Sequence, residues 1–278
     1  MDIDKIIEEA IIEDIGDGDH TSLATIPADK TGKAHLIIKE PGILAGVDIA
    51  KEVFFKTDKK LKFHKLLSDG TVVKPGDIVF TVEGNSISIL SGERLALNFM
   101  QRMSGIATYT NKLVSLIDGL KTKLLDTRKT TPLLRELEKY SVKVGGGENH
   151  RMGLYDMIMI KDNHIDFAGG IVPAIESTKK YLSEKKKNLK IEIEVKNLKE
   201  LEVVLNHGGI DRIMLDNFTP EELKKAVEKI AGRFESEASG GITEKTIRKY
   251  AETGVDYISV GALTHHISSL DMSLLAVK

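Results

Sequence analysis

The sequence predicts an α/β protein, with a small antiparallel α/β unit followed by a parallel β/α barrel. Three observations predict it. Residues 31 to 90 hold short apolar runs broken by frequent Gly and Pro, the pattern of antiparallel strands. Further on, apolar runs starting near 123, 157, 191, 212, 234 and 257 alternate with helical stretches. The last four starts are ~21–24 residues apart, which suits βα units of a parallel sheet. Finally, each run stops at a charged residue or a glycine, the point at which a β/α barrel builds its active site. Six strands are clear, whereas eight close the standard barrel. The barrel is therefore open, or two strands are unread.

Ile3, Ile6, Ile7, Ala10 and Ile11 share one helix face. The turn-rich stretch Asp14 to Thr21 has the wrong spacing for a calcium loop, so its acids read as turn and cap residues. Ala34 to Lys39, Leu61 to Leu66 and Ile78 to Val82 read as strands, and Val47 to Phe55 as a helix between them. Leu95, Phe99, Ile106, Leu113 and Leu116 mark a long helix, with Ser91 as its expected cap and a break expected near Gly105. Helices are then expected over Pro132 to Val144, Ile171 to Leu182, Leu198 to Asn206, Pro220 to Ile230 and Thr243 to Thr253. The Lys185-Lys186-Lys187 run reads as a solvated helix end.

Composition removes whole classes of function. The 278 residues are 41% hydrophobic and carry a net charge of -2, without the basic surplus of a nucleic-acid binder. The absence of cysteine excludes disulfides, thiolate metal sites and a Cys nucleophile. Met1 to Ala10 is acidic and lacks a signal-peptide core, and no apolar run approaches the ~18 residues of a membrane span. A cytoplasmic enzyme is expected.

The chemistry sits at the strand ends. Arg128 and Lys129 follow one strand, His150 and Arg151 follow a glycine run, and Lys161 and His164 follow the next strand. Several cations in one bowl call for a substrate with more than one negative charge. Arg135, Lys139 and Lys143 lie on a predicted helix and read as solvated. Alternation along Ile191 to Val195 puts Glu192 and Glu194 on one face. With Asp216 they suit Mg²⁺ or sugar hydroxyls, or act as partners of the site cations. Ser239-Gly240-Gly241 before Thr243, with Val260-Gly261, suits a phosphate cradle. Gly145-Gly146-Gly147 reads as a mobile loop. Arg94 reads as a cation in the first turn of its helix, against the dipole.

Taken together, Asp126-Thr127-Arg128-Lys129-Thr130, Gly145 to Arg151, Ile160 to His164, Leu215-Asp216-Asn217-Phe218, Glu237 to Gly241 and Val260 to His265 resemble the quinolinate phosphoribosyltransferases. Gly92-Glu93-Arg94, Ser104 to Thr108, and Glu13-Asp14 with Gly16-Asp17 extend the resemblance over nearly the whole chain. It implies an N-terminal α/β sandwich and a C-terminal open, incomplete α/β barrel of the type II phosphoribosyltransferase kind. The expected boundaries are 1–108 and 109–265, with 266–278 packing back on the sandwich. It implies the conversion of quinolinate and phosphoribosyl pyrophosphate to nicotinate mononucleotide, pyrophosphate and CO₂, with Mg²⁺, in NAD biosynthesis.

By the same resemblance, Arg128, His150, Arg151 and Lys161 surround the two quinolinate carboxylates, and Lys129 faces phosphoribosyl pyrophosphate. Glu194 and Asp216 serve the ribose hydroxyls and Mg²⁺, while Ser239, Gly240, Gly241 and Gly261 hold the 5′-phosphate. Lys129, Lys161, Glu194 and Asp216 are the expected catalytic groups. A homodimer is implied, with Arg94 reaching the neighbour's site, and a hexamer as a trimer of dimers is left open. Neither a membrane nor a nucleic acid is an expected partner. The alternatives are a paralogue linked to molybdate transport operons, a Schiff-base aldolase barrel using Lys161, and a non-enzymatic anion- or nucleic-acid-binding module.

Overall fold

The computed structural model describes residues 3–277; Met1, Asp2 and Lys278, which end two of the expected ranges, lie outside them. The chain forms two compact units. The first runs to Asn111, takes in Thr130–Gly146 and resumes at Ala262; the second is Lys112–Lys129 with Gly147–Gly261. Boundaries at 108/109 and 265/266 follow chain order and so leave 130–146 with the barrel. In the structure that segment groups with the first unit, because Leu137 joins its apolar core and Gly145 packs against it.

In the first unit, α1 (Ile3–Ile15) buries Ile6 and Ile7, and α2 (His20–Thr25) starts where the Asp19 carboxylate accepts the Ser22 N–H. The strands β1 (Thr31–Ile38), β3 (Lys62–Lys65), β5 (Ile78–Asn85) and β12 (Met272–Ala276) form an antiparallel sheet in the order β12-β1-β5-β3. The strands β2 (Gly42–Ile43) and β4 (Val72–Val73) pair separately. The helix α3 (Val47–Thr57) lays Phe54 on this sheet, edge-on to Phe80, and Phe63 lies 4.4 Å from Phe80 between centroids. The Asp69 carboxylate accepts the Gly46 and Val47 N–H groups at the start of α3 and the Tyr140 hydroxyl.

The long helix α4 (Ser86–Leu116) departs from expectation in three ways. It begins six residues earlier than the Ser91 cap implies, because β5 runs to Asn85 and the Asn85 Oδ1 accepts the Ile87 and Ser88 N–H groups. Arg94 thus lies more than two turns inside, beyond reach of the dipole argument. The helix also continues through Gly105. Glycine is needed there because a Cβ would stand 2.2 Å from the Ser268 carbonyl oxygen, and not because the helix breaks.

The helix α5 (Arg135–Val144) belongs to the same unit. Lys139 on it is fully buried and not solvated as expected, since the helix is enclosed round most of its circumference, with Leu137, Glu138, Ser141 and Val142 buried as well. Gly145 ends α5 where a Cβ would meet the Ala107 carbonyl oxygen at 2.4 Å, so this glycine run is a packed turn and not an open loop.

The second unit is a parallel sheet of six strands: β6 (Lys123–Leu125), β7 (Ile158–Ile160), β8 (Ile191–Val195), β9 (Arg212–Asp216), β10 (Glu235–Ser239) and β11 (Tyr257–Ser259). Their order is β6-β11-β10-β9-β8-β7, so β6 and β7 do not pair with each other and the barrel is open. The helices α7 (Ile171–Lys185), α8 (Leu198–His207) and α9 (Pro220–Ile230) match expectation; α9 is fixed by a Thr219/Glu222 capping box. A short helix, α6 (Asp162–Ala168), replaces the expected loop after β7, with Lys161 at its cap. The helix α10 (Ile247–Ala251) starts four residues later than expected. Thr243 forms a turn before it, accepting the Thr246 and Ile247 N–H groups. The helix α11 (Ala262–His265) follows in the first unit.

Candidate active site

Parallel register stacks the second unit's inward side chains in layers. Glu192, Arg212 and Glu235 are neighbours in register, as are Glu194, Met214 and Glu237, and then Asp216 and Ser239. Alternation sends Ile193, Val195, Ile213 and Leu215 to the other face, where all are buried. The barrel interior is therefore charged below and polar at the strand ends.

At one side of the rim, Arg128 and Lys129 are exposed beyond β6, and the Lys129 N–H rests on the Thr127 hydroxyl at 3.0 Å. The loop that carries His150 and Arg151 is fastened to β6. The Leu124 carbonyl accepts the Glu148 N–H, and Glu148 returns a bond to the Asp126 N–H. The buried Asp126 carboxylate accepts the His150 N–H at 2.8 Å and the Asn149 amide at 2.5 Å. Arg151 donates to the Met157 carbonyl at 3.2 Å. Burial, with the Arg128 guanidinium close by, holds Arg151 below the usual arginine range. Two guanidinia brought together against their repulsion make a receptor for a dianion.

At the end of β7, Lys161 stands 3.4 Å from Glu194. Burial raises the Glu194 carboxyl, Lys161 pulls it back, and the nearby Asp216 raises it again. Asp216 accepts the Ser239 hydroxyl at 2.7 Å and the Asn217 amide at 2.6 Å. Asn217 holds a left-handed φ of 57° and its backbone N–H bonds the Ser239 carbonyl. Gly240, at φ 93°, has to be glycine: a Cβ would stand 2.1 Å from the Asn217 Oδ1. Gly241 also has positive φ, and Gly261 follows β11 between Val260 and α11. The loop expected to form a cradle thus rests on Asn217, without the helix N-terminus expected at Thr243. Arg94 is exposed on α4 of the first unit.

Beneath the rim lies a charge cluster that sequence reasoning only half saw. His150 is 4% exposed in its side chain, and its Nε2 lies 2.9 Å from Glu192 Oε2 and 3.3 Å from Glu237 Oε2. Arg212 reaches Glu237 at 3.2 Å and Glu235 at 2.9 Å, and stacks 4.2 Å over the Tyr257 ring. Burial, then Glu237, push Glu192 up to about 7. Glu237 stays low, because His150, Ser259 and Arg212 outweigh its own burial. Burial opposes a charge on His150, yet the two carboxylates push it up to about 9. The Arg151 N–H, 2.6 Å from His150 Nδ1, favours the opposite state, since a doubly protonated ring has no acceptor there. The hydrogen bond decides the tautomer: one proton, on Nε2. The signal that could have located this cluster is the repeated Glu-x-Glu at Glu192/Glu194 and Glu235/Glu237, with Arg212 on the strand between.

The first unit holds a second unforeseen pair. Arg102 donates to the buried Glu138 at 2.9 and 2.6 Å and to the Thr131 hydroxyl, while Glu138 accepts the Thr131 N–H. Together they fix Thr131 in place.

Family models described as the N-terminal and C-terminal domains of quinolinate phosphoribosyl transferase match residues 19–104 and 106–275. The chain belongs to the quinolinate phosphoribosyltransferase family. It is 46% identical to the chloroplastic nicotinate-nucleotide pyrophosphorylase (carboxylating) of Arabidopsis thaliana, over 98% of this chain and 82% of that protein. It is 41% identical to the probable nicotinate-nucleotide pyrophosphorylase of Bacillus subtilis, over 99% and 93%. The solved nicotinate-nucleotide pyrophosphorylase of Francisella tularensis superposes with a TM-score of 0.94 at 45% identity, covering 99% of this chain and 96% of that one. Among the described residues no helix is long and apolar enough to cross a membrane.

Proposed function

We propose that this chain transfers the phosphoribosyl group of phosphoribosyl pyrophosphate to quinolinate and releases CO₂, giving nicotinate mononucleotide and pyrophosphate. The observation that carries this reading is the closeness of the Arg128 and Arg151 guanidinia, together with that of the Glu194 and Asp216 carboxylates. Arg128, Arg151 and Lys161 take the two carboxylates of quinolinate. Glu194 and Asp216 take the ribose hydroxyls, Lys129 faces the pyrophosphate, and Ser239, Gly240, Gly241 and Gly261 hold the 5′-phosphate. Arg94 completes the site from a neighbouring copy in a homodimer, in a cytoplasmic setting.

Glu194 and Asp216 also fit Mg²⁺: both are hard oxygen donors, and their mutual repulsion favours a cation between them. Bound there with the substrate phosphates, Mg²⁺ would neutralise the leaving pyrophosphate. In the reaction the ring nitrogen forms a bond to the ribose C1 as the bond to pyrophosphate breaks. The carboxylate beside the now cationic nitrogen leaves as CO₂, its electron pair is accepted by the ring, and a solvent proton replaces it. The protein's part is positioning and charge complementarity, with no general base.

Purified protein, quinolinate, phosphoribosyl pyrophosphate and Mg²⁺ should yield nicotinate mononucleotide and CO₂ in equal amounts. No product, or equal turnover of nicotinic acid, overturns the reading.

A further inference from the structure

Both ring nitrogens of His150 are turned into the protein. Nδ1 faces the Arg151 N–H at 2.6 Å, and Nε2 faces Glu192 and Glu237. The backbone N–H of His150 is held by Asp126. Both carboxylates are fully buried, on β8 and β10, and Arg212 on β9 lies between those strands and bonds Glu237. These groups are wedged into the sheet, where they cannot swing towards a ligand without leaving buried charge unmatched. With Nδ1 on the Arg151 N–H and Nε2 buried within 3.3 Å of two carboxylates, neither nitrogen is turned towards a substrate carboxylate.

We infer that His150 is a positioning residue and not a substrate contact: its ring ties the Glu192–Glu237 pair of the sheet to the Arg151 backbone, and so sets Arg151 for the substrate's carboxylates. This rests on the proposed reading of Arg151 as a quinolinate ligand. Glu192 is the nearer carboxylate to Nε2, at 2.9 Å. Glu237 supplies the second and couples the ring to Arg212. The same three groups, His150, Glu192 and Glu237, are spaced closely enough to surround a metal ion. Charge decides against that reading, because Arg212 already lies against one of the two acids and the ring Nε2 lies 2.9 Å from the other.

Two measurements test the brace. In wild-type protein with ¹⁵N-labelled histidine, the His150 signals at neutral pH should report a bare Nδ1 and a protonated Nε2, unchanged by adding quinolinate. A protonated Nδ1, or a change of protonation on adding quinolinate, overturns the inference. So does one equivalent of a divalent metal that co-purifies with the protein and shifts these signals when chelated. That measurement needs no turnover, so it separates failure of the brace from failure of the proposed reaction. In the second, E192A should raise the KM for quinolinate about tenfold, the loss of one positioned hydrogen bond. It should leave the KM for phosphoribosyl pyrophosphate within about twofold. E192Q, which keeps an acceptor for Nε2, should recover most of the quinolinate KM. Equal change in both KM values, or no recovery by E192Q, overturns the positioning role.

Discussion

In the first unit the sheet meets its helices through Phe54, Phe63 and Phe80, with no charge among them. In the second, the inward positions of the sheet carry Glu192, Arg212, Glu235 and Glu237. Parallel sheets are ordinarily apolar on both faces. Replacing buried ion pairs by well-packed carbon is often neutral or stabilising, so stability alone does not call for these charges. The difference teaches where each unit spends its specificity. The sheet of the first needs shape, and that of the second needs charges held at fixed positions under its rim.

The sharpest break of this contrast is a matched pair of substitutions. E237L removes the buried carboxylate that Arg212 pairs with and should cost about 3–5 kcal/mol, read by urea denaturation. F80A should cost a similar ~3–5 kcal/mol, yet turnover per folded molecule at low temperature should persist only in F80A. Equal activity in both would erase the distinction. Within the first unit, G105A should cost about 1–3 kcal/mol by overpacking against Ser268. A fully tolerated alanine would mean that the helix and the returning chain are looser than their 2.2 Å clearance implies.

Smaller effects should follow at the polar margins. Y140F removes the hydroxyl that Asp69 accepts and should cost about 1 kcal/mol. It also removes a phenol that burial, then Asp69, push up to about 12; a normal phenol titration in the wild type would argue against that bond. In the second unit, burial would raise the Asp256 carboxyl, but Ser236 and Lys121 outweigh it and hold it low. A depressed folded value means that its stabilisation is present above the ordinary aspartate range and fades as pH falls through the folded value. Native protein should therefore lose its advantage over D256N on acidification. An advantage that grows in acid would reverse the assignment.

The six strands of the second unit were legible because each is a short apolar run with a polar stop, and the open order follows from six being too few to close. The start of α4 was not, because Asn85 caps it from the end of a strand whose last residues are polar. The buried state of Lys139 was invisible for a related reason: a lysine on a short charged helix looks solvated until the neighbouring helix is in place. The helix expected from Thr243 was shortened because Thr243 and Thr246 bond each other in a turn first.

The sequence by itself determined which residues stand at the strand ends, the alternation that turns Glu192 and Glu194 inward, and the family, since these depend on residue type and spacing along one chain. Only the tertiary structure decided that segment 130–146 groups with the first unit and that His150 points into the sheet. It alone decided that Gly240 serves Asn217. Each of these is a contact between residues distant in sequence, and such contacts are fixed by register and packing, which local pattern does not carry.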